Sequence, residues 1–271
     1  MATGPLLAAG PQTCVTGVWN RTPEYGETLA DELSVPVFSD IDALIDSCDA
    51  VAISISPVAQ PAIAVRAAHA GKALLLEKPL GDSVASARTI VDAVHETGVG
   101  ALVMLSNRFN PLLDEFFEAA ARCAPVGGAA SFVSGASLGG PFATDWRLAR
   151  GAVLDVGPHM LDMLEGALGE IVDVHAAGDP CRWVSLLCTH ASGATSVGSV
   201  SLAVAAEGSA DIEVYGPKGS ARYDGAVDHV DWANRVRSAL VAVAGGASHP
   251  ANVDHALHLQ DLIARIETQL D

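Results

Sequence analysis

Between residues 13 and 105 short apolar runs alternate with segments of helical period, and this alternation constrains the fold more than any other feature of the chain. The runs are 13–19 (TCVTGVW), 35–38, 49–56 (DAVAISIS), 73–77 (ALLLE) and 101–106 (ALVMLS). Each is too short for a helix and rich in β-branched or aliphatic residues, so each reads as a strand. Between them lie helix signals. Thr22-Pro23 makes a cap and first helical position for 23–33, Ser39 or Asp40 caps a helix to about Ser47, and Gly71 ends a helix begun near Gln60. Residues 83–97 carry Val84, Ala87, Ile90, Val91 and Val94 on one face, with Gly98 as terminator, and Pro111 opens a further helix. Strands and helices in strict turn mean βαβ units and a parallel sheet.

The pattern changes after residue 126. Alternating runs at 129–138, 171–178, 182–190, 195–206 and 210–216 predict a mostly antiparallel, open sheet. One helix interrupts it near 158–168, GPKGS (216–220) is a turn between strands, and 252–270 is a closing helix with Leu257, Leu259, Leu262, Ile263 and Ile266 inward. The fold class is therefore α/β: a Rossmann-like parallel sheet domain over 1–122, followed by a C-terminal α+β domain over 123–271.

Charge and cysteine usage narrow the functions. A formal net charge of −17 repels nucleic acid and anionic membranes, so neither is expected as a partner. Five cysteines without a C-x-x-C read as reduced, mostly buried thiols of a cytoplasmic protein, and no metal is expected. His255-x-x-His258 with Asp254 and Asp261 has ligand-like spacing, but a solvated helix face is the reading preferred. MATGPLLAAG is a poor signal peptide, and no apolar run is long enough to span a bilayer.

Three stretches carry chemistry. EKPLG (77–81) follows a strand, GAVLDVGPHMLD (151–162) contains D-x-G-x-H-x-x-D, and SPVAQPAIAVRAAHAGKALLLEKP (56–79) has strand–helix–strand spacing. Together with NRFNP (107–111) and DWR (145–147), they resemble the glucose-fructose oxidoreductase / inositol dehydrogenase / MocA (Gfo/Idh/MocA) family of NAD(P)-dependent oxidoreductases, over nearly the whole chain from Thr13. The resemblance implies hydride transfer between a nicotinamide and a secondary alcohol of a sugar, polyol or related small molecule. It implies that Lys78 holds the reacting hydroxyl, with Pro79 fixing its turn and Glu77 as charge partner.

Asp155 and His159 are four residues apart and share a face if the segment is helical. His159 is the natural general acid/base, because an imidazole titrates near neutrality. Asp155 binds substrate hydroxyls or orients His159, and Asp162 stands behind them. Lys78, Asp155 and His159 are thus the candidate catalytic residues. Asn20, Arg21 and Thr22 stand where an NAD-preferring relative carries an acid for the ribose diol. Arg21 and Thr22 suit a 2′-phosphate, so NADP is the expected cofactor, with NAD possible. Ser56, Pro57, Glu77 and Lys78 complete the expected cofactor contacts. Substrate choice is expected to lie in 107–110, 139–147 and the second sheet, and a homodimer or higher homo-oligomer is expected through that sheet's open face.

One departure from the family is large. Its opening strand and G-x-G-x-x-G turn, which bring backbone N–H groups to the pyrophosphate, find no match. Residues 2–10 read instead as the end of the helix that follows such a turn. Three accounts fit: a start codon set too late, a decayed paralogue, or a sheet closed over the gap in a relative that keeps the fold without binding a dinucleotide. The first is favoured, and the non-catalytic relative is the rival to the enzyme.

Overall fold

The structure is a computed structural model that describes residues 3–140, 143–205, 208–225 and 232–270. Residues 141, 142 and 206, which fall within the expected specificity loop and one alternating run, lie outside the described residues. The chain divides into two compact units. The first comprises Met1–Met104 and Asp231–Leu257, the second Leu105–Val230 and His258–Asp271.

In the first unit β1 (Ala50–Ile53), β2 (Ala73–Leu76) and β3 (Ala101–Val103) form a parallel sheet in the order β1-β2-β3. All four residues of β2 are buried, with Leu74 and Leu76 fully so. Each such leucine stabilises the unit by roughly 1.5–3 kcal/mol relative to an exposed one. Four helices fall where the sequence places them. In α2 (Pro23–Leu33) a proline opens the first turn. Asp40 accepts from the Asp42 amide to cap α3 (Ile41–Asp46). Next come α4 (Gln60–His69) and α5 (Val84–Thr97), the latter with a capping box between Ser83 and Ser86 and Gly98 at φ 67° as its left-handed terminator. The expected helix end near the N-terminus is present as α1 (Thr3–Ala8).

The strand expected at 13–19 is cut down to one bridge, Val18 with Val37, closed by Val18 N–H to Pro36 O (3.0 Å) and Phe38 N–H to Val18 O (2.8 Å). Among the described residues neither this pair nor β1 has a strand on its other side within the sheet. A ladder with one short partner has little to propagate it, so the β-branched run stays irregular.

The first unit is completed by a late stretch of chain. The helix α8 (Trp232–Ala244), absent from the elements expected of the sequence, packs on β2 and β3. Its buried Arg237 donates from Nη1 to the Leu6 carbonyl at 2.7 Å, holding the end of α1. Val103 N–H donates to Ala251 O at 2.8 Å.

The second unit holds a six-stranded sheet in the order β5-β6-β7-β4-β8-β9. Its strands are β4 (Gly127–Val133), β5 (Ile171–Asp179), β6 (Trp183–His190), β7 (Thr195–Ser201), β8 (Ser209–Gly216) and β9 (Gly219–Asp224). Only β4 with β7 is parallel. In β6 exposed and buried residues alternate strictly, as a sheet covered on one face requires. The covering helix is α7 (Asp145–Leu168), much longer than the 158–168 read from the sequence.

The boundary expected near 122 is corrected by the packing. The helix α6 (Pro111–Cys123) buries Leu113, Phe116 and Ala120 and packs on β8 and β9, so it belongs to the second unit, and the division falls at Met104/Leu105. The last helix, α9 (Val253–Leu270), has its first five residues in the first unit and the rest in the second.

Candidate active site

In the first unit the Lys78 turn leaves the end of β2. The Lys78–Pro79 peptide is cis. The turn is held by a residue in neither motif. Gln60, fully buried at the start of α4, donates from Nε2 to the carbonyls of Glu77 (2.9 Å), Leu80 (3.0 Å) and Pro79 (3.3 Å). Its Oε1 accepts from the Glu77 amide at 2.9 Å. The Gln60 backbone N–H in turn donates to Ser56 O at 3.1 Å. One residue thus joins Ser56, in the first expected cofactor segment, to the Glu77 backbone in the second. Beside it, Thr3 Oγ1 donates to Glu77 Oε1 at 3.4 Å. Burial pushes the Glu77 carboxyl above its ordinary value, against the pull of the Lys78 ammonium and the Thr3 hydroxyl.

The other residues expected at the cofactor sit at the start of α2. Asn20 Oδ1 accepts from the Thr22 amide at 2.8 Å, Thr22 is the cap position, and the Arg21 side chain is exposed.

In the second unit Gly151 divides α7. Its φ of 70° and ψ of −163° are open to glycine, and an added Cβ meets Pro180 O at 2.0 Å. Beyond the kink the helix runs unbroken from 152 to 168. Asp155, His159 and Asp162 therefore follow one another at i, i+4 and i+7 on a single face, and all three are buried. Asp155 Oδ2 accepts from Arg147 Nε at 2.9 Å, a residue of the DWR stretch with no role expected of it. Asp162, 1% exposed, receives the guanidinium of Arg108, with Nε 2.9 Å from both carboxylate oxygens and Nη2 2.8 Å from Oδ1. That pair fastens the 3-10 turn Ser106–Phe109 to α7. His159 lines a pocket of about 290 Å³ with Phe132, Ser134, Val156, Ser209 and Ala210. An imidazole and two hydroxyls on an otherwise apolar wall suit a small polar molecule.

The other histidine pattern has a different use. His258 Nε2 pairs with Glu165 Oε1 at 2.7 Å, and Glu165 Oε1 also accepts from the Ile171 amide. Among the described residues no group of three or more histidine, cysteine or acidic side chains is placed to hold a metal. Nor is any described helix long and apolar enough to cross a membrane. Of the cysteines only Cys123 and Cys188 are buried, while Cys14 and Cys181 are exposed, fewer buried than expected.

A parallel sheet unit with a lysine turn at a strand end, and a mixed sheet unit with D-x-G-x-H-x-x-D on its covering helix, are both matched by family models. Residues 1–105 match the oxidoreductase family with an NAD-binding Rossmann fold, and residues 128–222 match the GFO/IDH/MocA C-terminal domain. The chain belongs to the Gfo/Idh/MocA family. Among curated relatives, it is 32% identical over 172 residues to D-xylose 1-dehydrogenase (NADP(+)) 2 of Haloferax volcanii, covering 60% of this chain and 52% of that one. It is 26% identical over 188 residues to levoglucosan dehydrogenase of Pseudarthrobacter phenanthrenivorans, covering 65% and 47%. The chain thus spans about half the length of the curated relatives it matches. Among solved structures, GenD2 from gentamicin A biosynthesis in complex with NAD superposes with a TM-score of 0.87 at 24% identity, over 99% of this chain and 90% of that one, which establishes the fold.

The family's dinucleotide asks for ribose contacts, a pyrophosphate cradle and nicotinamide contacts. The start of α2 offers polar groups for the first, and the cluster around Gln60 offers them for the last. The pyrophosphate cradle is not among the described residues. The segment before α2 holds no strand–glycine-rich turn–helix unit, and a Cβ on Gly4 or Gly10 would meet Leu33 or Arg237 rather than open space.

Proposed function

We propose that this chain is an NADP-preferring oxidoreductase that oxidises a secondary alcohol of a sugar, polyol or related small molecule. The observation that carries the reading is His159, lodged in the pocket wall on the same helical face as the Arg147-paired Asp155. Lys78 donates a hydrogen bond to the reacting hydroxyl oxygen and stabilises its developing negative charge. His159 accepts the hydroxyl proton as the carbinol C–H bond breaks. Asp155, already paired with Arg147, keeps that helical face polar and oriented. A nicotinamide, when bound, supplies the hydride acceptor. Asn20, Arg21 and Thr22 would hold the adenosine ribose and its 2′-phosphate, and Ser56, Pro57 and Glu77 would contact the nicotinamide side. The sugar dehydrogenases among the curated relatives support the substrate class.

The second unit is also proposed to pair with a copy of itself. Leu187 and Val197, cross-strand partners on its open sheet face, are 48% and 52% exposed. The five free cysteines support a cytoplasmic setting.

The test is direct. NADPH is titrated calorimetrically into the purified chain, and NAD(P)-linked oxidation is screened over D-xylose, levoglucosan and myo-inositol. Lys78→Ala is expected to lower kcat by about a hundredfold or more with cofactor affinity retained. A Lys78→Ala protein at wild-type turnover sinks the reading. The second reading is a relative that keeps the fold without binding a dinucleotide. No heat of NADPH binding from the chain, alone or with upstream sequence restored, decides for it.

A further inference from the structure

We propose that Gln60 is a positioning residue for Lys78. The inference rests on the role given to Lys78 above and concerns what fixes that side chain. A lysine has four rotatable side-chain bonds and is precise only if its backbone is. The backbone here leaves a strand at Leu76 and passes into a turn, where ladder hydrogen bonds end. Gln60 continues the ladder by other means. Its Oε1 takes the Glu77 N–H and its Nε2 gives to the Glu77 C=O, the exchange a neighbouring strand would make. The same Nε2 reaches past the lysine to the carbonyls of Pro79 and Leu80. Lys78 is therefore clamped at the residue before it and the two after it by a single amide.

Every polar atom of that amide is used, and the side chain is fully buried, so no water competes for the carbonyls. The clamp is also specific to an amide. A carboxylate at the same place keeps the acceptor for the Glu77 N–H but turns an oxygen toward the Glu77, Pro79 and Leu80 carbonyls. Because Gln60 opens α4 and its own N–H meets Ser56 O, it carries the position of the Ser56–Pro57 turn to the lysine as well.

The chain's three lysines, Lys72, Lys78 and Lys218, make the test readable without turnover. The full chain is reductively methylated with ¹³C-formaldehyde, and the three dimethyl-lysine signals are assigned with Lys72→Arg and Lys218→Arg. In wild type the Glu77 amide is expected to resist hydrogen exchange although it lies beyond the strand. In Gln60→Met and in Gln60→Glu the Lys78 signal is expected to shift toward that of a free lysine, with Lys72 and Lys218 unmoved, and Glu77 protection to fall in Gln60→Met. With a substrate from the screen, kcat is expected to fall by about 10- to 100-fold with KM for the cofactor unchanged. Lys78→Ala combined with Gln60→Met is then no slower than Lys78→Ala alone. Unchanged Lys78 signals in both variants, or an exchanging Glu77 amide in wild type, overturn the inference. Full turnover by Lys78→Ala removes the catalytic reading instead, and leaves the clamp to be judged on the lysine signals.

Discussion

Arg147 donates from Nε to Oδ2 of Asp155 at 2.9 Å, and its guanidinium carbon lies 4.4 Å from the ring centroid of Trp146. Two motifs that are separate along the chain, DWR and D-x-G-x-H, are thereby one ion pair across the Gly151 kink. Arg147→Met removes the cation paired with a buried carboxylate and is expected to cost on the order of 3 kcal/mol. Arg147→Met with Asp155→Asn should recover part of it. Denaturant melts of the two singles and the double check this, and purely additive losses would refute the pairing.

The kink itself is expected to tolerate no side chain. Gly151→Ala forces a left-handed conformation and brings a Cβ to 2.0 Å from Pro180 O. A loss of about 3 kcal/mol or more, or failure to fold, is expected from calorimetry.

Glu77 gives a pH-dependent prediction. Its folded pKa is raised by burial, so the stability tied to its protonated form is complete below the ordinary value of 4.5 and is lost as pH rises through the folded value. Glu77→Gln mimics the protonated form at all pH. Its melting temperature should match wild type near pH 4 and exceed it at pH 8.

His258 titrates by the same sign with the opposite substitution effect. The hydrogen bond that His258 donates to Glu165 raises its pKa, outweighing burial. The stability from the charged pair is complete below about 6.5 and fades as pH rises through the folded value. His258→Gln should therefore melt well below wild type at pH 5.5 and close to it at pH 9.

Arg21→Ala is expected to raise the Kd for NADPH about tenfold, the worth of one charge-assisted hydrogen bond, and to leave NADH binding unchanged. Calorimetric titration with both cofactors measures it, and equal losses for the two would remove Arg21 from the phosphate contact.

What the sequence disclosed, it disclosed through period and punctuation. Pro23, Gly98 and Pro111 mark helix ends that the structure keeps, because such signals act within four residues and need no distant partner. The strict alternation of β6 survives because one of its faces is covered. The strand at 13–19 was lost for the opposite reason, since strand formation depends on a neighbour that Val18 has at one residue only. Gln60 escaped notice because an amide at a helix start is an ordinary surface residue until a turn seventeen positions later folds over it. Arg147 and Arg108 stood inside quoted motifs, but their carboxylate partners lie 8 and 54 positions on, beyond any local pattern. The α8 helix hid in a stretch whose packing partners, β2 and β3, are over a hundred residues upstream.

That late return of the chain bears on how the protein can be dissected. A recombinant product ending at residue 122 carries β1, β2 and β3 without α8, the Ala251 carbonyl or Arg237, and carries α6 without the strands on which it rests. It would present two bared apolar surfaces at once. Any attempt to study dinucleotide binding on an isolated N-terminal piece should therefore splice 231–257 back onto 1–104, since only that stitched polypeptide holds its own interior.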